Sequence, residues 1–322
     1  MPSGLNLSRQ PVISPAISSF MPQWTLLGCG ALGGVVASLL TQHGQTTRIL
    51  LRDHHQSTLH PGIDFTALDG QQQLLTIERG FISKPGPINR LLVMTKANQV
   101  IEALTPLVGQ LASTVPIVLL HNGMGIAQQV ADLFPHNPVI AGVTSHGAMR
   151  CGHFVFRHTG KGETWLGPIN EAAQAYAGLA DDLAVAFGQA GWDPHILTRQ
   201  WQKLAINCAI NPLTALHKLQ NGELAGPRFA DVLQQICVEV ADVMCAEGMA
   251  TSADELQRRV MAVVELTADN YSSMYQDVIQ GRETEIEAIT GFLLAKAASH
   301  GIAVPVNQGL YQAINDKRQQ QV

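Results

Sequence analysis

Residues 26–34 read "LLGCGALGG", and the architecture of the N-terminal half follows from them. This stretch sets Gly28, Gly30 and Gly33 at G-x-G-x-x-G spacing, which chance alone can supply in a chain with 29 glycines. Its surroundings make it informative. The run "WTLLGCG" leading into it has strand character. The run "ALGGVVASLLTQHG" after it has helical period and reaches Gly44 as a helix stop. Together they form the first β-α unit of the chain, the setting of a dinucleotide-binding turn. Gly28 would permit the tight turn, Gly30 the approach of a pyrophosphate to the backbone, and Gly33 the close packing of helix on strand. The helix N-terminus would offer its unpaired N–H groups to the phosphates. The turn Gly28–Gly33, with Cys29, Ala31 and Leu32 between the glycines, is the candidate cofactor site. A plain glycine-rich strand-to-helix turn is the alternative.

Outward from this unit the first half alternates short apolar runs with helical patterns. "TTRILLR" is a second strand, "DFTALDGQQQLLTIE" a hairpin about Asp69-Gly70, and "RLLVMTK" and "VPIVLLHNG" two further strands. "PVIAGVTSHGAM", "HFVFRHTGKG" and "ETWLGP" add strands with glycine turns. This order predicts a mainly parallel sheet with helices on both faces and some antiparallel strands added later. After about residue 195 the strand patterns stop, and runs such as "FADVLQQICVEVADVMCAEG" and "ETEIEAITGFLLAKAASHG" carry helical period, the second ending on Gly301 with Pro305 beyond. The expected class is α/β: an N-terminal Rossmann-type doubly wound sheet with a C-terminal all-helical domain. Residues 21–194 would bind the cofactor and residues 195–322 the substrate. Either Met21 is the natural start or residues 1–20 are a dispensable extension.

Ligands of open α/β sheets bind beyond the carboxyl ends of the strands. Arg52 stands at the end of the second strand, where an acid would bond the ribose of NAD and a guanidinium suits the 2′-phosphate of NADP. Asp53 follows and keeps NAD open. Lys96 and Asn122 end two more strands, so these groups and the glycine turn should share one rim.

Composition narrows the remaining classes. Of 322 residues, 46% are hydrophobic and 14% charged, ample for a core. The net charge of -5 and the absence of a Lys/Arg run give nucleic acid or an anionic membrane no electrostatic support. No run of apolar residues is long enough for a transmembrane helix. Five cysteines without a C-x-x-C pair read as reduced core thiols of a cytoplasmic protein. The histidines show no ligand spacing, His54-His55 reads as a loop pair, and no metal is assigned.

The run "QKLAINCAINPLTAL", residues 202–216, carries the chemistry. Residues four apart advance about 40° around a helix, so Lys203, Asn207 and Asn211 form one polar row on an otherwise apolar element. The row lines either a wet stripe or a cleft. Reduction of a ketone by a nicotinamide needs a proton donor for the developing alkoxide, and a lysine flanked by asparagine amides has that inventory. Pro212 is expected to end the run or kink it at the site.

"LLGCGALG", "HNGMG", "KLAINCAINPLTAL", "NGEL" and "SSMYQDV…RETEI" closely resemble the ketopantoate reductase (2-dehydropantoate 2-reductase) family, over residues 21 to about 305. The resemblance implies NADPH-dependent reduction of 2-dehydropantoate to (R)-pantoate, on the way to pantothenate and coenzyme A. It implies that Lys203 is the catalytic acid and that Asn207, Asn211 and Asn221 bind substrate. Ser273 would hold the substrate carboxylate, with Asn270 beside it. Glu285 would serve both catalysis and the cofactor end. Lys96, Asn122 and Ala148 would contact NADPH, and Arg52 would read its 2′-phosphate. Departures are the N-terminal extension and Gly147. The expected partner is a small 2-oxo acid, and the protein is expected to act as a monomer or homodimer. A reductase of another small 2-oxo acid and an NADP-binding sensor are the rival readings. Taken singly, Glu285 could complement a helix dipole, Ser273 could cap a helix, and Asn221 could be a turn residue.

Overall fold

The structure, a computed structural model, describes residues 23–53 and 62–319. The extension, the start suggested at Met21 and the His54-His55 pair lie outside the described residues. The chain forms two compact units. One comprises the described residues up to Thr95 with Gln99–His121 and Ala127–Ile196. The other comprises Lys96–Asn98, Asn122–Ile126 and the chain from Leu197.

In the first unit, β1 (Trp24–Leu27) leads through α1 (Ala31–Gln42) to β2 (Thr47–Leu51). Then come β3 (Ile63–Thr66), β4 (Gln72–Leu75), β5 (Glu78–Phe81), β6 (Leu91–Val93), α2 (Val100–Leu104), β7 (Ile117–Leu119) and α3 (Ile126–Leu133). β8 (Val139–Thr144), β9 (Gly147–Gly152), β10 (Val155–Gly160), β11 (Thr164–Pro168), α4 (Leu179–Phe187) and β12 (Ala190–Trp192) complete it. The main sheet has eight strands in the order β12-β11-β8-β7-β6-β1-β2-β5. From β5 to β8 all neighbours are parallel, and β11 joins β8 antiparallel. β1, β6 and β7 are buried along their whole length, which explains their continuous apolar runs. Strand order reverses beside β1, between β2 and β6, so the crevice of a doubly wound sheet opens where the glycine turn leaves β1.

The hairpin expected about Asp69-Gly70 is β3-β4. Gly70 takes a φ of 85° and donates its N–H to the Ala67 carbonyl at 3.0 Å. It does not extend the main sheet. With β9 and β10 it makes a second sheet, order β4-β3-β10-β9, against which α1 packs.

After Ile196 every regular element among the described residues is a helix: α5 (Ile196–His217), α6 (Ala230–Ala246), α7 (Ala253–Leu266), α8 (Ser273–Ile279), α9 (Phe292–His300) and α10 (Pro305–Gln319), with shorter turns between. Apolar residues three and four apart on α6, among them Leu233, Ile236, Val240 and Met244, are buried against α7, α9 and α10. α9 ends on Gly301 in the left-handed region (φ 67°), and Pro305 opens α10, where its missing N–H is not needed. The buried carboxylate of Glu239 accepts the Val306 and Asn307 N–H groups at 2.8 and 2.9 Å and closes that helix start.

Pro212 does not end α5. The helix runs on to His217. Ile210, Leu213 and Ala215 on both sides of the proline are buried in the same core, and their packing outweighs a cost of about 3 kcal/mol for an interior proline. The last turn is closed by Lys218 in the left-handed region (φ 58°) and by the Lys317 ammonium, which donates to the Leu216 carbonyl at 3.0 Å. Among the cysteines only Cys208 and Cys237 are buried; Cys151 and Cys245 are exposed, and all five are free thiols. No described helix is long and apolar enough to cross a membrane.

Candidate active site

The glycine turn is built as its spacing requires. Gly28 has φ 100°, and a Cβ there would lie 2.7 Å from Thr95 Cγ2 and 2.9 Å from the Thr95 nitrogen. Gly30 caps α1 with an extended backbone, no side chain caps that helix, and a Cβ on Gly30 would meet nothing within 4 Å. Uncapped N–H groups beside open space fit a pyrophosphate. Gly33 approaches its own turn, its Cβ position 2.7 Å from the Gly28 carbonyl oxygen and 3.1 Å from Met94 Cβ. Close packing on the second sheet belongs instead to Gly34, whose Cβ would overlap the Phe156 ring. The motif does not count this glycine. Cys29 is half-buried, and desolvation of its sulfur pushes the thiol up to about 12, against the opposing pull of the Arg150 and Arg79 guanidiniums, so it stays neutral. Ala31 and Leu32 form the first turn of α1.

Arg52 follows the last residue of β2. Its guanidinium is 38% exposed and lies 3.9 Å from Glu102, which is 74% exposed, a long pair in water that a phosphate can displace. Asp53 accepts the Ser83 hydroxyl at 2.7 Å through Oδ1 and keeps acceptor capacity beyond that bond. These residues fit NADP. Ala148 sits on β9 of the second sheet opposite His158, not at the end of a parallel strand.

In the helical unit, Lys203 and Asn207 are half-buried and Asn211 is buried, while Leu204, Ala205, Cys208, Ala209 and Ile210 between them are core residues. The enclosed ammonium end of Lys203 has its pKa lowered from 10.5 to about 8 by burial, with the Glu285 carboxylate acting in the opposite direction. Glu285 Oε2 accepts the Asn122 amide at 3.0 Å and Oε1 accepts the Ala97 N–H at 3.3 Å. Burial raises its pKa, opposed by Asn122, Ala97 and Lys96, while Asp277 adds to the rise. Glu285 precedes a π-helical turn, Glu287–Gly291, but its carboxylate bonds elsewhere: to the Asn122 amide and to the N–H of Ala97, the first residue of a 3-10 turn, Ala97–Gln99, that leads into α2. The Ala288 carbonyl of that turn accepts the Met124 N–H at 2.9 Å. A Cβ on Gly123 (φ 82°) would come within 2.5 Å of the same oxygen, so glycine is required there.

Lys96 does not stand free on a strand rim. Its ammonium donates to the Glu283 carbonyl at 2.5 Å and to Asp277 Oδ2 at 2.8 Å. The segments Lys96–Asn98 and Asn122–Ile126 group with the helices, although by chain connection they follow β6 and β7. Asn221 is buried. Its amide donates to the Thr267 hydroxyl at 2.9 Å and its N–H to the Asn270 carbonyl at 2.9 Å. The cap of α8 is Ser272, which receives the Tyr275 N–H and lies 2.7 Å from the Thr214 hydroxyl of α5. Ser273, next in sequence, is exposed and does not serve as the cap.

The expected residues thus fall into two groups. Gly28–Gly33, Arg52 and Ala148 belong to the sheet unit; Lys96, Asn122, Lys203, Asn207, Asn211, Asn221, Asn270, Ser273 and Glu285 belong to the helical unit. Asp277, Gly123 and the Ala288 carbonyl were not singled out by sequence. Asp277 lies inside "NYSSMYQD", but nothing local marks it as the partner of a lysine far up the chain.

Residues 24–171 match the model of the family described as ketopantoate reductase PanE/ApbA, and residues 195–318 match that of its C-terminal part. The chain is 40% identical over 293 residues to the 2-dehydropantoate 2-reductase of Salmonella typhimurium, covering 91% of this chain and 94% of that one. The enzyme of the same name from Vibrio cholerae is 42% identical over 229 residues, 71% of this chain and 77% of that one. Among solved structures, a D-mandelate dehydrogenase complex with NADH and anilino(oxo)acetate superposes with a TM-score of 0.86 over 92% of this chain and 99% of its own, at 22% identity, a likeness of fold.

Proposed function

The chain belongs to the ketopantoate reductase family, and we propose that it reduces 2-dehydropantoate to pantoate with NADPH as the reductant. The observation that carries the catalytic reading is Lys203: an enclosed ammonium on a polar row, with a pKa brought to about 8 and Glu285 as its charged neighbour. The nicotinamide, when bound, supplies a hydride to the ketone carbon. Lys203 gives its proton to the carbonyl oxygen, so that ketone, hydride and proton together make the hydroxy acid and leave NADP+. A lysine near 8 is charged at neutral pH yet releases its proton more readily than an ordinary lysine. The nearby Glu285 carboxylate keeps it protonated.

In this reading Asn207 and Asn211 orient the carbonyl and the lysine, and Asn221, Asn270 and Ser273 hold the substrate carboxylate and hydroxyl. The glycine turn takes the pyrophosphate and Arg52 the 2′-phosphate, with Lys96, Asn122, Ala148 and Glu285 as further cofactor contacts. Residues 21–194 serve the cofactor and residues 195–322 the substrate. The protein works in the cytoplasm as a monomer or homodimer, without nucleic acid. The test is steady-state consumption of NADPH by the purified protein with 2-dehydropantoate, beside pyruvate and 2-oxoisovalerate. Absence of turnover with 2-dehydropantoate overturns the assignment, and preference for another 2-oxo acid moves it to that substrate.

A further inference from the structure

We propose that Asp277 is a positioning residue that converts Lys96 from a mobile charge into a fixed hydrogen-bond donor for a neutral oxygen of the bound cofactor. The inference rests on the reading of Lys96 as a cofactor contact. Asp277, on α8, is only 5% exposed, and a buried carboxylate needs full pairing. It has two cations: Oδ2 receives Lys96 at 2.8 Å and Oδ1 receives Arg282 at 2.9 Å. The Asp277 carbonyl also accepts the Arg282 N–H at 2.8 Å, which ties the loop after α8 back to the helix.

A lysine ammonium has three N–H donors. Lys96 gives one to Asp277 and one to the Glu283 carbonyl at 2.5 Å. Tetrahedral geometry then aims the third. The next residue, Ala97, donates its N–H to Glu285, so this short segment is held by two carboxylates of the helical unit. Lysine side chains lose much rotamer entropy when a ligand immobilises them, and here that ordering is done beforehand. Charge points the same way. Lys96 and Arg282 are balanced by Asp277 and Glu285, so this cluster offers direction rather than net attraction. A hydroxyl or carboxamide oxygen suits such a donor. A phosphate suits Arg52, whose acidic neighbour is distant and solvated.

The experiment measures NADPH binding by calorimetry for the full chain, Asp277→Asn, Lys96→Met and the double variant, with thermal unfolding as a check on folding. Asp277→Asn is expected to weaken NADPH about tenfold, as for loss of one charge-assisted hydrogen bond. The double variant should bind within about twofold of Lys96→Met alone, because Asp277 acts through the lysine. Independent, multiplying losses would mean a merely structural aspartate and overturn the inference. So would unchanged or tighter binding by Asp277→Asn, the latter the sign of a lysine charge that the aspartate suppresses. If Asp277→Asn does not fold, Asp277→Glu, which keeps the charge but displaces it, is read by the same two criteria. Lys96→Met without effect would remove the reading of Lys96 and this inference with it. Because binding is read directly, failure to turn over 2-dehydropantoate would count against the substrate alone.

Discussion

Raising the assay pH from about 7 to about 10 should switch off Lys203 well before an ordinary lysine loses its proton. Burial brings its pKa from 10.5 to about 8. Roughly one tenth of such a group is protonated near pH 9, against about 97% of a lysine titrating normally. Accordingly kcat/KM should be level to about pH 7 and fall about tenfold per unit above about pH 8. NADPH affinity, measured separately at each pH, removes any contribution from the cofactor. Glu285→Gln deletes the carboxylate that raises the Lys203 pKa, so the alkaline limb should move to lower pH. A limb near the ordinary lysine value, or one that Glu285→Gln leaves in place, refutes Lys203 as the acid. The same displacement carries a stability consequence. The unfolded chain holds the proton up to its higher pKa, so charging Lys203 in the fold opposes folding, in full below about pH 8, and is relieved between about 8 and 10.5. Its size is about 3 kcal/mol. Lys203→Met should therefore be no less stable than the parent at neutral pH while kcat drops by a factor of about 100 to 10,000. Denaturation curves separate this loss from misfolding.

Arg52→Gln should weaken NADPH roughly ten- to hundredfold and spare NADH, as removal of a charge-assisted contact to the 2′-phosphate would; equal losses for both cofactors argue against the assignment. Gly30→Ala points its methyl into open space and should keep stability within about 1 kcal/mol while impairing NADPH binding, read by urea denaturation and calorimetry. Gly34→Ala should do the reverse in emphasis, destabilising by about 1 to 3 kcal/mol through its clash with Phe156. Burial lowers the His146 pKa to about 4, assisted by His158 at 3.0 Å and by Lys161, so its contribution to stability should decline as pH falls from about 6.5 toward 4. Proton NMR of the His146 ring reads this directly, and a midpoint near 6.5 would show it to be an ordinary histidine.

The features legible in the residues alone are local and periodic. The glycines follow an apolar strand and open a helix because tight turns and helix N-termini are specified over a few residues. Helical period marks α5, α6 and α9, and the four-residue spacing of Lys203, Asn207 and Asn211 places them on one face whatever surrounds the helix. The end of a strand is equally local, which made Arg52 visible. Chemical identity came from resemblance along whole motifs, since any one asparagine or serine reads as well as a cap or a turn.

Which distant groups meet depends on the folded core. The β3-β4 hairpin carries no mark of the sheet it will join, because its partners β9 and β10 lie far along the chain. Gly34 is one more glycine until Phe156 lies across it. Pro212 is a helix breaker by local rule, yet core packing on both sides carries α5 through it. Glu285 finds Asn122 across 163 residues of chain, and Lys96 finds Asp277 by the same long-range closure. Such pairings arise because buried charge must be matched once the apolar faces have set the packing, a condition imposed by the assembled core rather than by either residue's neighbours in sequence.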